Sequence, residues 1–126
     1  MTRLFLGFAA ISGFLAVGLG AFGAHGLKPR LSPSLMSAFE TAVQYQFYHT
    51  LALLILALSP LAATTSGRLA GWLFVAGTAI FSGSLYILVL LGMPWLGMVT
   101  PIGGVLLIIG WAALLLAFAR RHGSDH

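Results

Sequence analysis

Long apolar runs alternate with short polar stretches along this chain of 126 residues. Three of these runs carry no charged side chain, and each is close to the roughly 20 residues that a helix needs to cross a bilayer. The connections between runs are short and rich in Gly, Pro, Ser and Thr, as is typical of turns. The pattern predicts an all-α membrane protein, a bundle of four transmembrane helices with short loops, with spans at residues 4–24, 39–59, 69–91 and 98–119.

The second predicted helix is the most polar of the four. Ser32 followed by Pro33 is typical of a helix start, because serine caps free backbone N–H groups and proline is tolerated at the first helical position. Pro60 is expected to end the helix. Only Leu51–Leu58 is continuously apolar. We still expect this segment to cross the membrane, because otherwise these eight apolar residues would lie in water.

The composition supports a membrane location for the whole chain. Hydrophobic residues make up 60% of the sequence and charged residues 6%, whereas roughly a quarter of the residues of a soluble domain are charged. Residues 1–126 are therefore expected to form a single membrane domain. The first run is also longer than the roughly 7–15 apolar residues of a signal peptide, which favours a retained helix. The chain has no cysteine, which excludes disulfides, thiol catalysis and cysteine-ligated metal within it.

The basic residues lie at the ends of the apolar runs and form no patch with interleaved aromatic residues. They are Arg3, Lys28, Arg30, Arg68, Arg120 and Arg121. This arrangement argues against nucleic-acid binding, although the formal net charge is +4. With four spans, one side of the membrane carries four of these residues and the other carries two. Because basic residues concentrate on the cytoplasmic side, both termini are expected in the cytoplasm.

Polar residues recur at helical spacing in the second and third predicted helices. They predict a polar crevice between these helices, with candidate residues Glu40, Gln44, Tyr48, His49, Thr78, Ser82 and Tyr86. Within each helix, a set spaced i, i+4, i+8 shares one face. From a rise of about 1.5 Å per residue, Tyr86 is expected level with Gln44, and Ser82 level with Tyr48. Polar stripes at matching depth should meet, since neither is stable against lipid.

Each crevice residue has both a functional and a structural interpretation. Glu40, the acid in the membrane region, either handles protons or cations or forms a boundary ion pair with Lys28, Arg30 or His25. His49 either shuttles a proton or forms a structural hydrogen bond, and without further ligands nearby it predicts no metal site. The remaining polar residues either line a pathway for a transported ion or solute or form hydrogen bonds between helices. The structural interpretation is favoured for all of them, and no cofactor is predicted.

Small residues predict where helices approach closely. In the first helix, Ala16, Gly20 and Ala24 recur every four residues, the spacing that allows two backbones to approach in a membrane. In the fourth helix, Gly103 and Gly104 follow shortly after its start. These five residues are predicted to be helix-packing positions.

Four sequence blocks, in order, resemble a known family. They are Gly20-Ala21-Phe22-Gly23-Ala24-His25-Gly26-Leu27, Tyr45-Gln46-Phe47-Tyr48-His49, Phe81-Ser82-Gly83-Ser84-Leu85-Tyr86 and Thr100-Pro101-Ile102-Gly103-Gly104. The chain is similar to the YgdD-type family of small bacterial inner-membrane proteins, a domain-of-unknown-function family with a eukaryotic transmembrane branch. The resemblance implies a multi-pass protein of the bacterial inner membrane with no assigned activity. It implies no catalytic residues.

The sequence therefore favours a non-enzymatic structural or accessory membrane component. Its expected partners are membrane lipid and either further copies of itself or another membrane protein. The alternative is a small oligomeric transporter or channel that moves protons, ions or a small solute through the polar crevice. An intramembrane enzyme with His49 and Glu40 as base and acid is the least favoured hypothesis, because a separation of nine residues puts them on opposite helix faces.

Overall fold

Four long helices account for almost all of the chain. The computed structural model describes the backbone of residues 1–124 and the side chains of residues 1–120, so Arg121, counted among the basic residues, lies outside the described side chains. The helices are α1 (Thr2–Phe22), α2 (Pro33–Leu58), α3 (Thr65–Leu91) and α4 (Thr100–Ser124). Each, with its flanking turn where one is present, is long and apolar enough to cross a membrane. The predicted all-α, four-helix membrane fold is confirmed.

Local hydrogen bonds fix the helix ends where the sequence places turn residues. Ser32 Oγ accepts from the N–H of Leu35 at 3.2 Å, so α2 begins at Pro33 with a capped first turn. Thr64 Oγ1 caps α3 in the same way, accepting from the N–H of Gly67 at 3.0 Å. At the other end of α3, Gly92 takes a left-handed conformation with φ 63°, which stops the helix.

Three short helical turns connect the long helices. A π-helical turn at Gly23–Leu27 continues α1, and 3₁₀ turns at Pro60–Ala63 and Pro94–Met98 precede α3 and α4. We call the end of the bundle that holds Met1 and Pro60–Ala63 the terminal end. The opposite end, which holds Gly23–Leu27 and Pro94–Met98, is the loop end.

The helix α2 packs against both α1 and α3, and α3 also packs closely against α4. The closest approach lies between α3 and α4, where a Cβ added to Gly103 would lie 2.3 Å from the backbone nitrogen of Phe81. Gly77 on α3 faces this contact, since a Cβ there would lie 2.7 Å from the Leu107 side chain. A Cβ on Gly104 would meet only the Phe81 ring, at 3.7 Å. Gly103 is therefore the position of tight backbone contact.

Of the three small residues predicted as packing positions on α1, two face α2. Ala16 is fully buried, and a Cβ on Gly20 would lie 3.4 Å from the Val43 side chain. Ala24 is exposed. The contact continues through Gly23, where an added Cβ would lie 2.5 Å from the Phe39 ring. The contact moves from Gly20 to Gly23, three residues on, where the chain enters the π-helical turn.

Candidate functional site

Gln46 on α2 connects three helices through its side-chain amide. Its Oε1 accepts a hydrogen bond from the Tyr86 hydroxyl on α3 at 2.5 Å. Its Nε2 donates to the Ser12 carbonyl on α1 at 3.0 Å and to Ser12 Oγ at 3.2 Å. The side chain is buried. A buried amide whose oxygen and nitrogen are both paired stabilises the relative positions of α1, α2 and α3.

Two further hydrogen bonds lie close to this amide. Ser12 Oγ and Thr50 Oγ1 are 2.7 Å apart and form a second α1–α2 contact. Ser82 Oγ donates to the carbonyl of Ala42 at 2.7 Å and forms a second α2–α3 contact. Among the residues that the structure describes, every buried side-chain nitrogen or oxygen has a partner. The buried polar side chains of the described residues are thus hydrogen-bonded to other groups of the protein.

His49 connects α2 to α4. The indole Nε1–H of Trp111 donates to His49 Nε2 at 2.9 Å, so Nε2 is an acceptor and carries no hydrogen. The hydrogen of the neutral ring is then on Nδ1, which donates to the carbonyl of Tyr45 at 2.8 Å. The one in-plane lone pair of this tautomer, on Nε2, accepts from Trp111 and is therefore not available to a metal ion. Within the described part of the chain, no group of three His, Asp or Glu side chains lies close enough to hold one.

A crevice of about 290 Å³ lies next to the Gln46 amide, between α1, α2 and α3. Its walls are mostly apolar, and its polar lining residues are Ser12, Gln46, His49, Thr50, Thr78, Ser82 and Tyr86. Four of the seven predicted crevice residues line it, namely His49, Thr78, Ser82 and Tyr86. The crevice includes α1, which the sequence did not predict, because the prediction paired only the second and third helices.

The other three predicted residues lie outside this crevice. Glu40 and Gln44 are exposed, and they line a separate groove of about 200 Å³ beside the glycines of α1. Tyr48 is exposed over 56% of its surface, on the outside of the bundle. In the part of the chain that the structure describes, no hydrogen bond or ion pair joins Glu40 to Lys28, Arg30 or His25. Glu40, Gln44 and Tyr48 do share one face of α2, but that face points away from α3.

The observed crevice differs from the predicted one for two geometric reasons. Residues two apart on an α-helix differ by about 200° in direction, so Gln46 faces inward where Gln44 faces outward. The two helices are also offset by roughly one and a half turns from the expected depth. Ser82 contacts the backbone of Ala42, and the Tyr86 ring packs at 5.4 Å from the Phe39 ring, whereas the sequence placed these two α3 residues level with Tyr48 and Gln44.

A signal for the inward face of α2 is present in the sequence. The buried residues of α2 include a line spaced alternately three and four apart, Phe39, Ala42, Gln46, His49, Leu53 and Leu56. This is the heptad spacing of packed helices. Gln46 and His49 are the polar members of that line. The spacing of the line therefore places both of them on the inward face of α2. Ser12 and Trp111 carry no comparable signal, because each is a lone residue in an apolar run.

Comparison with known proteins places the chain in a family. Residues 19–104, which include all four sequence blocks, match the family described as Protein of unknown function (DUF423). The chain belongs to the DUF423 family. The domain-of-unknown-function family expected from the four blocks is consistent with this assignment.

Close relatives in Staphylococcus and Bacillus are named as membrane proteins. UPF0382 membrane protein SAB0533 of Staphylococcus aureus is 50% identical over 121 residues, which cover 96% of this chain and 99% of the relative. UPF0382 membrane protein YwdK of Bacillus subtilis is 44% identical over 120 residues, covering 94% of this chain and 98% of the relative. No solved structure matches this DUF423 chain significantly. The relatives confirm that it is a membrane protein.

Proposed function

We propose that this DUF423 protein is a non-enzymatic structural or accessory component of the bacterial inner membrane, and that it associates laterally through α2. One observation carries the proposal: Glu40, Gln44 and Tyr48 form an exposed polar face on a helix that is apolar enough to cross the bilayer. We call these three residues the outer face of α2. We propose that a second copy of the chain covers this face.

The depth of the outer face argues for a protein partner. Glu40 lies about 10 Å along α2 from its start at the loop end, Gln44 about 16 Å and Tyr48 about 22 Å. Polar side chains at such depths are unfavourable against lipid and normally face protein or a water-filled cavity. A carboxamide carries both a donor and an acceptor, so two Gln44 side chains related by a two-fold axis can hydrogen-bond each other.

The paired interior supports a structural role over a chemical one. The side-chain groups of Gln46, His49 and Ser82 that face neighbouring helices are all used in contacts within the bundle. Hydrogen bonds of this kind in membranes contribute about 0.6 kcal/mol on average, enough in combination to hold the helices in one arrangement. A bundle held in this way presents its outer face of α2 in a fixed geometry.

We further propose that both termini lie in the cytoplasm. Arg3, Arg68 and Arg120 are exposed at the terminal end, whereas Lys28 and Arg30 are exposed at the loop end. Basic residues near short loops concentrate on the cytoplasmic side. Reporter fusions at each terminus test this orientation. Both fusions should report the cytoplasm, and a periplasmic or extracellular signal from either would contradict the orientation.

Disulfide cross-linking tests the association, because the chain has no natural cysteine. Glu40→Cys, on the same outer face, keeps Gln44 and should give a cross-linked dimer in native membranes under mild oxidation. Ile108→Cys is the matched control, since Ile108 is 70% exposed on α4, which begins at the same end of the bundle as α2. Equal cross-linking of the two variants would contradict the proposed dimer. Cross-linking of Glu40→Cys to a different membrane protein would assign the outer face to that partner instead.

A small oligomeric transporter is the second candidate, and the crevice supports it. The crevice is lined by polar groups near the middle of α1, α2 and α3. Two of its lining residues pack against aromatic rings outside it, Phe8 at 6.0 Å from Trp72 and Tyr86 at 5.4 Å from Phe39. Flux assays in proteoliposomes test this function. Because Glu40 lies outside the crevice, the informative variant is Gly83→Leu, which would fill it.

A further inference from the structure

We infer that the crevice between α1 and α3 binds one uncharged, single-chain lipid whose polar group is a single hydrogen-bonding oxygen, such as a long-chain or prenyl alcohol. This site is distinct from the outer face of α2. The inference therefore does not depend on the proposed dimer, and either can fail without the other.

The helices α1 and α3 meet near the terminal end and diverge towards the middle of the bundle. The ring of Phe5 lies so close to Gly71 that an added Cβ would be 2.4 Å from it. Phe5 also packs edge-on against Trp72, with ring centroids 5.4 Å apart. Further along α1, Ser12 bonds only to α2 residues, and the crevice occupies the space between α1 and α3.

The crevice opens sideways, towards the hydrocarbon of the membrane. On α1 its rim is formed by Ile11, 63% exposed, and Leu15, 48% exposed. On α3 the rim residue Ala79 is also exposed. A ligand would therefore enter laterally from the bilayer, between these exposed rim residues.

The depth of the crevice in the bilayer limits which lipids can place a polar group in the crevice. Ser12 and Thr78 both lie near the middle of their helices. The hydrocarbon core is about 30 Å thick, so a charged headgroup stays about 15 Å from the middle. Only an uncharged polar group can reach Thr78 at low energetic cost.

The lining residues fit such a lipid. Among residues 1–120, whose side chains the structure describes, no charged side chain lines the crevice, and Phe8, Leu53 and Phe74 supply apolar walls. Within the described part of the chain, the half-buried Thr78 hydroxyl has no hydrogen-bond partner, unlike the Gln46 amide beside it. The volume of about 290 Å³ is at the lower limit of small-molecule sites, which favours one chain over two.

Photolabelling with a long-chain alcohol that carries a diazirine tests the assignment on the full chain in lipid nanodiscs. We expect cross-links to concentrate on crevice residues. Gly83→Leu should reduce these cross-links to the level of lipid-exposed residues elsewhere, because no atom lies within 4 Å of a Cβ added there and the side chain would fill the crevice without a clash. Gly18→Leu is the matched control on the lipid side of α1, with equally open space, and should leave labelling unchanged.

Thr78→Val keeps the shape of the side chain and removes its hydroxyl. Loss of one hydrogen bond of about 1 kcal/mol should weaken labelling about fivefold. Thermal melting of each variant separates lost binding from lost folding, and only variants that melt within a few degrees of the original chain are compared. Labelling spread evenly over exposed residues and insensitive to Gly83→Leu would overturn the site. Equally strong labelling by a phospholipid bearing the same diazirine would overturn the assigned ligand class.

Discussion

The Tyr86 hydroxyl of α3 donates to Gln46 Oε1 of α2 at 2.5 Å, while the nitrogen of the same amide donates to Ser12 of α1. One side chain therefore joins three of the four helices. Its neighbour Gln44, two residues away, is exposed and belongs to the outer face of α2. The two glutamines offer a direct comparison of an interior polar contact with an exterior one.

Gln46→Leu should destabilise the bundle by about 1–3 kcal/mol, because it leaves the half-buried Tyr86 hydroxyl without its acceptor. Gln44→Leu should change the stability of the isolated chain by less than about 0.5 kcal/mol, since its side chain is exposed and forms no hydrogen bond with the described residues. Unfolding in mixed micelles, followed by circular dichroism, measures both variants. Equal losses of stability would contradict the role assigned to the Gln46 amide.

Trp111→Phe should weaken the contact between α2 and α4, because His49 Nε2 loses the indole N–H that donates to it. Interhelical hydrogen bonds in membranes contribute about 0.6 kcal/mol on average and up to about 1.7 kcal/mol. A double-mutant cycle with His49→Phe should return a coupling free energy in this range. Trp95→Phe, at a residue that is 59% exposed in the 3₁₀ turn before α4, is the control and should show no coupling with His49. A coupling of zero for Trp111 would mean that the bond does not stabilise the bundle.

Gly103→Ala should destabilise the chain by about 1–3 kcal/mol, as overpacking of a close contact usually does. The new methyl group would lie 2.3 Å from the backbone nitrogen of Phe81, which cannot move without shifting α3. Gly104→Ala is the adjacent control, because its Cβ would make an ordinary contact of 3.7 Å with the Phe81 ring. It should be neutral or stabilising by up to about 1 kcal/mol, since alanine favours helix more than glycine does. The melting temperatures of the two variants in the same detergent test the difference, and a reversed order would contradict the packing.

The four helices could be predicted from the sequence because length and hydropathy alone determine what can cross a bilayer. Their ends were also readable where Ser32, Pro33 and Pro60 mark them. The sequence separated Gly103 and Gly104 from the rest of α4 as packing positions, but it did not distinguish between them. That distinction depends on which of the two points at the backbone of α3.

The inward face of α2 was harder to predict for a physical reason. Lipid tails are as apolar as a protein core, so hydrophobic periodicity does not show which face of a membrane helix meets protein. The exposed set that includes Glu40 and Gln44 has as regular a spacing as the buried set that includes Gln46 and His49. The heptad line through small and apolar residues separates the two sets, because residues such as Ala42 allow close approach between helices.

The central claim, lateral association through the outer face of α2, is tested most directly by energy transfer between fluorescently labelled copies in lipid bilayers. Copies with donor or acceptor dyes at the C-terminus are mixed at low protein-to-lipid ratio. We predict transfer above that of a non-interacting membrane protein, lost in Gln44→Leu and retained in Ile108→Ala on the exposed face of α4. Transfer in the original chain no greater than that of the non-interacting protein, or unchanged in Gln44→Leu, would contradict the association.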